Sequence, residues 1–281
     1  MTEAATTTPT PKPPEIYNIP VVQPSQLANN INLLLWGPSG AGKTTLASTF
    51  PGRKLWLQFD PQGVSSLKDS TDIVVLDLSG QEYSIVQKFK EPDPLNLSRF
   101  ITEHNINSII VDSLTAFQEM ALHYGVSHAR GFKQHAAATI EDPGYGGYGR
   151  RKTWTMQLVM NILSLGRRLG IHTCFISHED SPTKDDKGAV VAIEMMLGSD
   201  LPDKTGLQMG EIWNLVDTGH ERRIMVRPAR LKKPIKTRMF LADSAEFDWK
   251  YNQDKPDPKH TVAAWYDLWR ENKFQKIPLP R

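Results

Sequence analysis

Short apolar runs, each ending at glycine or polar residues, recur along the chain as far as Ser177. They lie at Ile31 to Trp36, Leu55 to Phe59, Ile73 to Leu78, Ser108 to Val111 and Ile171 to Ser177. Runs this short, with little alternation, are the pattern of strands buried on both faces of a parallel sheet. Between them stand stretches with helical spacing, at Gly42 to Thr49, Gln81 to Lys90, Leu95 to His104 and Lys152 to Leu169. In the last of these Trp154, Leu158, Ile162, Leu165 and Leu169 share one face and leave Arg167 and Arg168 off it, which is core packing. Strands alternating with helices predict an α/β fold: a mainly parallel twisted sheet with helices on both faces. Beyond Gly210 the rhythm changes. Trp213 to Thr218, Gly219-His220-Glu221 and Arg223 to Val226 predict a hairpin, and so antiparallel strands at the C-terminal edge of the sheet. Val262, Trp265, Tyr266 and Trp269 then form an apolar stripe on a short helix that docks on the domain.

The pattern divides the chain into a Thr/Pro-rich tail (1–15), a core (16–245) and a C-terminal extension (246–281). The tail has no periodic apolar positions and is expected to be disordered. An apolar fraction of 39% and a charged fraction of 23% over 281 residues are those of a globular protein, which excludes general disorder. No apolar run approaches the roughly 20 residues that span a bilayer. With Glu3 and a Thr/Pro run where a secretory signal would be basic and then apolar, a cytoplasmic protein without a membrane partner is expected. The single cysteine, Cys174, sits within an apolar run and reads as a core thiol. A net charge of +2 says little about partners, but its distribution is uneven: Arg222 to Arg238 holds eight Lys and Arg and no acid.

Candidate chemistry begins where the first strand ends. Gly37-Pro38-Ser39-Gly40-Ala41-Gly42-Lys43-Thr44, followed by Thr45, fits G-x-x-x-x-G-K-[ST] in a strand-loop-helix setting. Glycines let the backbone curl so that its N–H groups point at an anion. Lys43 reaches the β and γ phosphates of ATP, and the Thr44 hydroxyl is a ligand for Mg²⁺. A magnesium nucleotide also needs a carboxylate at a neighbouring strand end, and Asp112, closing Ser108 to Val111 before Ser113 and a helical stretch, supplies one. Asp77 is the competing candidate and reads as a solvated strand end.

With these landmarks the chain resembles the RecA-like P-loop ATPases, and most closely the phage-encoded RecA-like single-strand annealing proteins and their nucleotide-binding relatives. The resemblance covers about Val21 to Leu241. It rests on the order of the phosphate loop, the strand Leu55 to Phe59 ending at Asp60-Pro61-Gln62, the strand ending at Asp112, a polar loop with Tyr148-Gly149, the strand ending at Ser177-His178-Glu179, and Lys236-Thr237-Arg238. It implies an ATPase acting on single-stranded DNA in recombination or annealing, in the host cytoplasm if phage-encoded. It implies a homo-oligomer and a single-strand DNA-binding protein as a further partner. His178 would sense the γ-phosphate, and Lys236 and Arg238 would act in trans on a neighbouring subunit's nucleotide. One departure is Gln62, which stands where relatives place a water-activating glutamate. Glutamine orients water without taking its proton, so hydrolysis is slow or Asp60 or Glu179 is the base, with Asp60 preferred.

By analogy with the DNA loops of that family, His128 to Trp154 would contact single-stranded nucleic acid on the far side of the sheet from the nucleotide. It interleaves Arg130, Lys133, Arg150, Arg151 and Lys152 with aromatic residues, among them Tyr148, for a local charge of +3, and Gly144, Gly146, Gly147 and Gly149 would keep it mobile. Aromatic rings stack on bases and cations follow the phosphates, neither demanding a particular sequence. Ser181 to Leu207, with Lys184, Lys187 and Lys204, is a weaker second segment. Two other functions fit a phosphate loop: a small-molecule kinase, or a nucleotide-switched loader in which slow hydrolysis is useful.

Overall fold

The computed structural model describes residues 15–16, 19–20, 29–61, 63–128, 139–228, 231–232, 234–241, 243–252 and 255–281. The tail up to residue 14, Gln62, Arg130 and Lys133 lie outside them. Six parallel strands form the body of the sheet: β1 (Asn32–Gly37), β2 (Arg53–Gln58), β3 (Ile73–Asp77), β4 (Ile106–Asp112), β5 (His172–His178) and β6 (Glu211–Asp217). Two antiparallel strands, β7 (Arg222–Met225) and β8 (Glu246–Asp248), close one edge, giving the order β8-β7-β6-β1-β5-β4-β2-β3. The expected hairpin is β6 and β7. β8 extends it, so the sheet continues past residue 245 into the C-terminal segment.

Successive residues of a strand point to opposite faces, and here both faces are covered, which is why the strands read as continuous apolar runs. Leu34, Trp36, Leu57, Val111 and Phe175 pack on one side with α2 (Leu97–Glu103), α3 (Leu114–Ser127) and α4 (Gly144–Leu169). Leu33, Leu35, Trp56, Ile110 and Ile176 pack on the other with α1 (Lys43–Ser48) and α6 (Val262–Glu271). Cys174 is in this second core and is fully buried. In α4 the predicted stripe is inward, with Leu158, Ile162 and Leu165 fully buried and Arg167 and Arg168 exposed.

The glycine-loosened loop expected up to Trp154 is not what forms. From Gly144 onward the chain is helical, and Gly146, Gly147 and Gly149 lie inside the first turns of α4. The reason is close packing of α4 against α3. A Cβ on Gly147 would lie 2.7 Å from Pro143 Cβ and 3.4 Å from Val126 Cγ2, and one on Gly125 would lie 3.3 Å from Arg150 Cβ. Small residues at this crossing let the two helices approach, a use of glycine that composition does not distinguish from flexibility. At about 1.5 Å per residue the 26-residue α4 is about 39 Å long, against about 23 Å for the seven residues of β5.

The C-terminal segment is part of the second core. Trp265 is 1% exposed, with its ring 5.8 Å from Trp213 and Phe240 and 5.5 Å from Phe247. Replacing it should open a large cavity. Trp265→Ala is expected to lower stability by about 3–5 kcal/mol. The loss should appear in the main unfolding transition of a urea titration, and a separate early transition would show that 246–281 folds apart from the sheet.

Candidate functional site

Because the central strands are parallel and in register, their C-terminal ends lie side by side. Gly37 is opposite His178, Asp112 is opposite Ile176, and Gln58 is opposite Asp112. The loop after each strand therefore opens on one edge, where open α/β sheets bind ligands. Gly37 begins the phosphate loop at φ +152°, and a Cβ there would lie 2.4 Å from the Leu215 carbonyl oxygen of β6, so only glycine lets the chain leave the sheet at this point.

A cavity of about 580 Å³ lies at this edge, within the size range of small-ligand sites. Its wall includes Ser39, Gly40, Gly42, Lys43, Thr44 and Thr45 from the loop and α1, together with Asp60, Asp112 and His178 from the ends of β2, β4 and β5. Lys43 is buried, and its ammonium donates to the carbonyls of Gly37 at 2.9 Å and Pro38 at 2.7 Å. Burial lowers its pKa to about 8, opposed by the charges of Asp112, Glu179 and Asp60. Asp112, 3% exposed, accepts a hydrogen bond from the Thr44 hydroxyl at 3.3 Å. Burial and the neighbouring Asp60 raise its pKa to about 6, against the Thr44 hydrogen bond and the charge of Lys43.

The Thr44 hydroxyl and Asp112 carboxylate form the oxygen pair that would hold Mg²⁺, which supplies charge neutralisation at the phosphates when bound. Among the described residues no group of three His, Cys, Asp or Glu could hold a metal by itself, so such an ion would share its coordination with phosphate oxygens. His178 Nε2 lies 3.3 Å from Asp60 Oδ2, and burial and then Lys43 hold the imidazole below its ordinary pKa, favouring the neutral ring. Glu179, the other candidate base, is paired with Lys232 at 3.2 Å and accepts from Asn214 at 3.3 Å, whereas Asp60 lines the cavity beside His178.

Asp77 ends β3, four strands from β1, while Asp112 is two strands away, about 10 Å at the usual spacing. The Asp77 carboxylate accepts from the Ser79 amide and hydroxyl, the solvated strand end expected. Lys236 and Arg238 are at the opposite end of the sheet. Lys236 pairs with Ile212, and the Arg238 amide donates to the buried Glu211, which stands opposite Leu33. Gly37 is four positions beyond Leu33, about 13 Å of strand. Neither cation lines the phosphate cavity of its own chain.

Sequence reasoning missed Arg222 as a site residue. It lines the cavity from β7, held by Asp217 at 3.1 Å, and with Trp249 it covers Gly42. Its only sequence signal was membership of the basic run, and it is the hairpin that turns it toward the loop. The nucleic-acid candidates of the first segment that lie within the described residues are on α4 and engaged by the protein. Arg150 donates to the Gly125 carbonyl at 3.0 Å, Arg151 stacks on Tyr148 at 4.9 Å, and Lys152 pairs with Asp200 at 2.7 Å.

A family model described as an AAA domain matches residues 29–237, which hold the phosphate loop, Asp112 and His178. The chain belongs to that family. This AAA domain is accordingly a P-loop ATPase, and its chemistry is nucleotide hydrolysis. No curated protein matches the chain. Among the described residues no helix is long and apolar enough to cross a membrane.

The two shifted groups set a pH window for the ATPase. Asp112 must lose its proton to bind a cation, and Lys43 must keep its proton to neutralise phosphate. The value of kcat/KM for Mg-ATP should therefore fall as pH drops through about 6 and again as it rises through about 8. A steady-state profile from pH 5 to 9 checks this, and a flat profile would contradict the assignment of both groups.

Proposed function

We propose that this ATPase is a RecA-like protein that acts on single-stranded DNA in recombination or annealing and works as a homo-oligomer. The observation that carries the reading is a chain of hydrogen bonds leading away from the nucleotide cavity. The His178 carbonyl accepts from the Met196 amide at 2.8 Å, and the Met196 carbonyl accepts from the Gln118 side chain at 2.8 Å. The Gln118 side-chain oxygen then accepts from the Gly198 amide at 2.9 Å. A strand end beside the phosphates is thereby joined to α3 and to the segment that precedes α5 (Leu201–Gln208). Such a link suits a protein whose nucleotide state is felt at a distant ligand, a role for which a metabolite kinase has no need.

Two further features support the reading. The order of landmarks along the chain resembles that of the RecA-like single-strand annealing proteins. Lys236 and Arg238, remote from their own phosphate cavity, suit cations that reach a neighbour's nucleotide, which requires an oligomer. A single-strand DNA-binding protein would then be a natural partner on the same substrate.

Lys43→Ala is expected to abolish ATP binding in isothermal titration, since the buried ammonium is the main charge facing the phosphates. For the parent, the hydrolysis rate should rise several-fold when single-stranded DNA is added. A rate indifferent to DNA would favour the nucleotide-switched loader, and phosphoryl transfer to an added metabolite would favour a kinase.

A further inference from the structure

A second cleft, of about 400 Å³, lies on the outer side of α4, between the 3-10 helix Tyr83–Lys90 and α5. Its lining contains Lys90, Lys152 and Lys204, with Thr153, Gln157 and Asn161 between them, and no carboxylate. Asp200 stands behind it, shared between Lys152 at 2.7 Å and Lys204 at 2.9 Å. Lys90 has no ion-pair partner among the described residues; its ammonium sits over the Trp154 ring at 4.2 Å, where burial and the charge of Arg150 lower its pKa. Three ammonium groups thus meet one carboxylate in a concave surface, a charge surplus that draws in an anion.

The shape of the cleft narrows the choice of anion. Its α4 wall runs from Lys152 to Asn161, about 14 Å of helix, longer than a single phosphate needs. Met156 and Met160 lie on the same wall, and Met160 is 44% exposed, so apolar surface accompanies the cations. A basic groove that tracks a backbone is one half of a sequence-tolerant single-strand site, and here methionine supplies the apolar surface beside it in place of the usual aromatic rings. The cleft is also joined to the nucleotide cavity. Asp200 is two residues beyond Gly198, the amide that Gln118 holds.

We infer that the Lys90–Lys152–Lys204 cleft is where this ATPase grips the phosphodiester backbone of single-stranded nucleic acid, with Asp200 as an internal counter-ion that the backbone displaces. The inference rests on the proposed action on single-stranded DNA. It keeps Lys152 of the sequence-based candidates, leaves Arg130 out and adds Lys90, which is 62 residues from Lys152 in sequence.

The test is fluorescence anisotropy of a labelled oligothymidylate with a non-hydrolysable ATP analogue, from 50 to 200 mM salt, for the parent, the double variant Lys90→Gln with Lys204→Gln, and Asp200→Asn. None of these residues touches the phosphate cavity, so ATP hydrolysis without DNA should be unchanged and serves as the folding control. Each lost phosphate contact removes about 0.7 from the single-strand salt slope, so the double variant should bind more weakly and its loss of affinity over this range should be about sevenfold smaller than the parent's. Asp200→Asn should bind more tightly than the parent and with a steeper slope, a gain that a misfolded protein cannot produce. If the parent binds and both variants match it in affinity and slope, the cleft is not the site, and its charge is left for an acidic protein surface. If the parent binds no oligonucleotide with the analogue present, it is the single-strand reading of the ATPase that fails, and the inference falls with it.

Discussion

A buried lysine facing a buried carboxylate is the constraint on which the catalytic edge depends. Lys43 and Asp112 both titrate away from their ordinary values because they are desolvated, and each partly offsets the cost for the other. Two such groups are tolerable only at fixed positions with hydrogen bonds, here from Lys43 to the loop carbonyls and from Thr44 to Asp112. Those positions are set by parallel pairing. A slip of one residue between β4 and β5 would turn Asp112 to the other face and break the row formed with Gly37 and His178. The apolar strands that hold the register are thus part of the nucleotide site, although of their apolar side chains Ile176 alone lines the cavity, beside the strand-end Asp112 and His178.

Much of this was legible along the chain because it is written locally. A phosphate loop needs glycines and a Lys-Thr at fixed spacing, and a strand buried on both faces needs an unbroken apolar run, so β1, α1 and the ends of β4 and β5 could be read without coordinates. What could not be read depends on partners far apart in sequence. Arg222 becomes a cavity residue only because the edge hairpin folds it over Gly42, and Lys90 meets Lys152 and Lys204 only because a 3-10 helix and α5 flank α4. The glycines at the start of α4 misled for a related reason. Composition records the absence of a side chain but not whether that absence serves bending or close contact, and at Gly147 Pro143 and Val126 occupy the space.

The basic run that begins in β7 shows how charge can be assigned by the fold instead of by sequence proximity. Arg222 is committed to the cavity edge, Arg223 bridges Glu221 and Glu246 across the hairpin, and Lys232 neutralises Glu179. Lys236 and Arg238 are carried to the other end of the sheet, where Glu211 orders the turn by accepting from the Thr237 hydroxyl and the amides of Arg238 and Met239. One cluster in the sequence therefore becomes four separate devices in space. Burial of the Glu211 carboxylate raises its pKa, and the donors around it work in the opposite direction.

The length of α4 has a mechanical consequence. Its second half is clamped in the core by Leu158, Ile162 and Leu165, while its first half runs beside α3 and carries Lys152 on its flank. From Leu158 back to Gly144 the helix runs about 21 Å, so a tilt of about 5° about Leu158 would carry Gly144 through about 2 Å. A small tilt of the helix in its core socket is thereby magnified along the arm that carries Lys152.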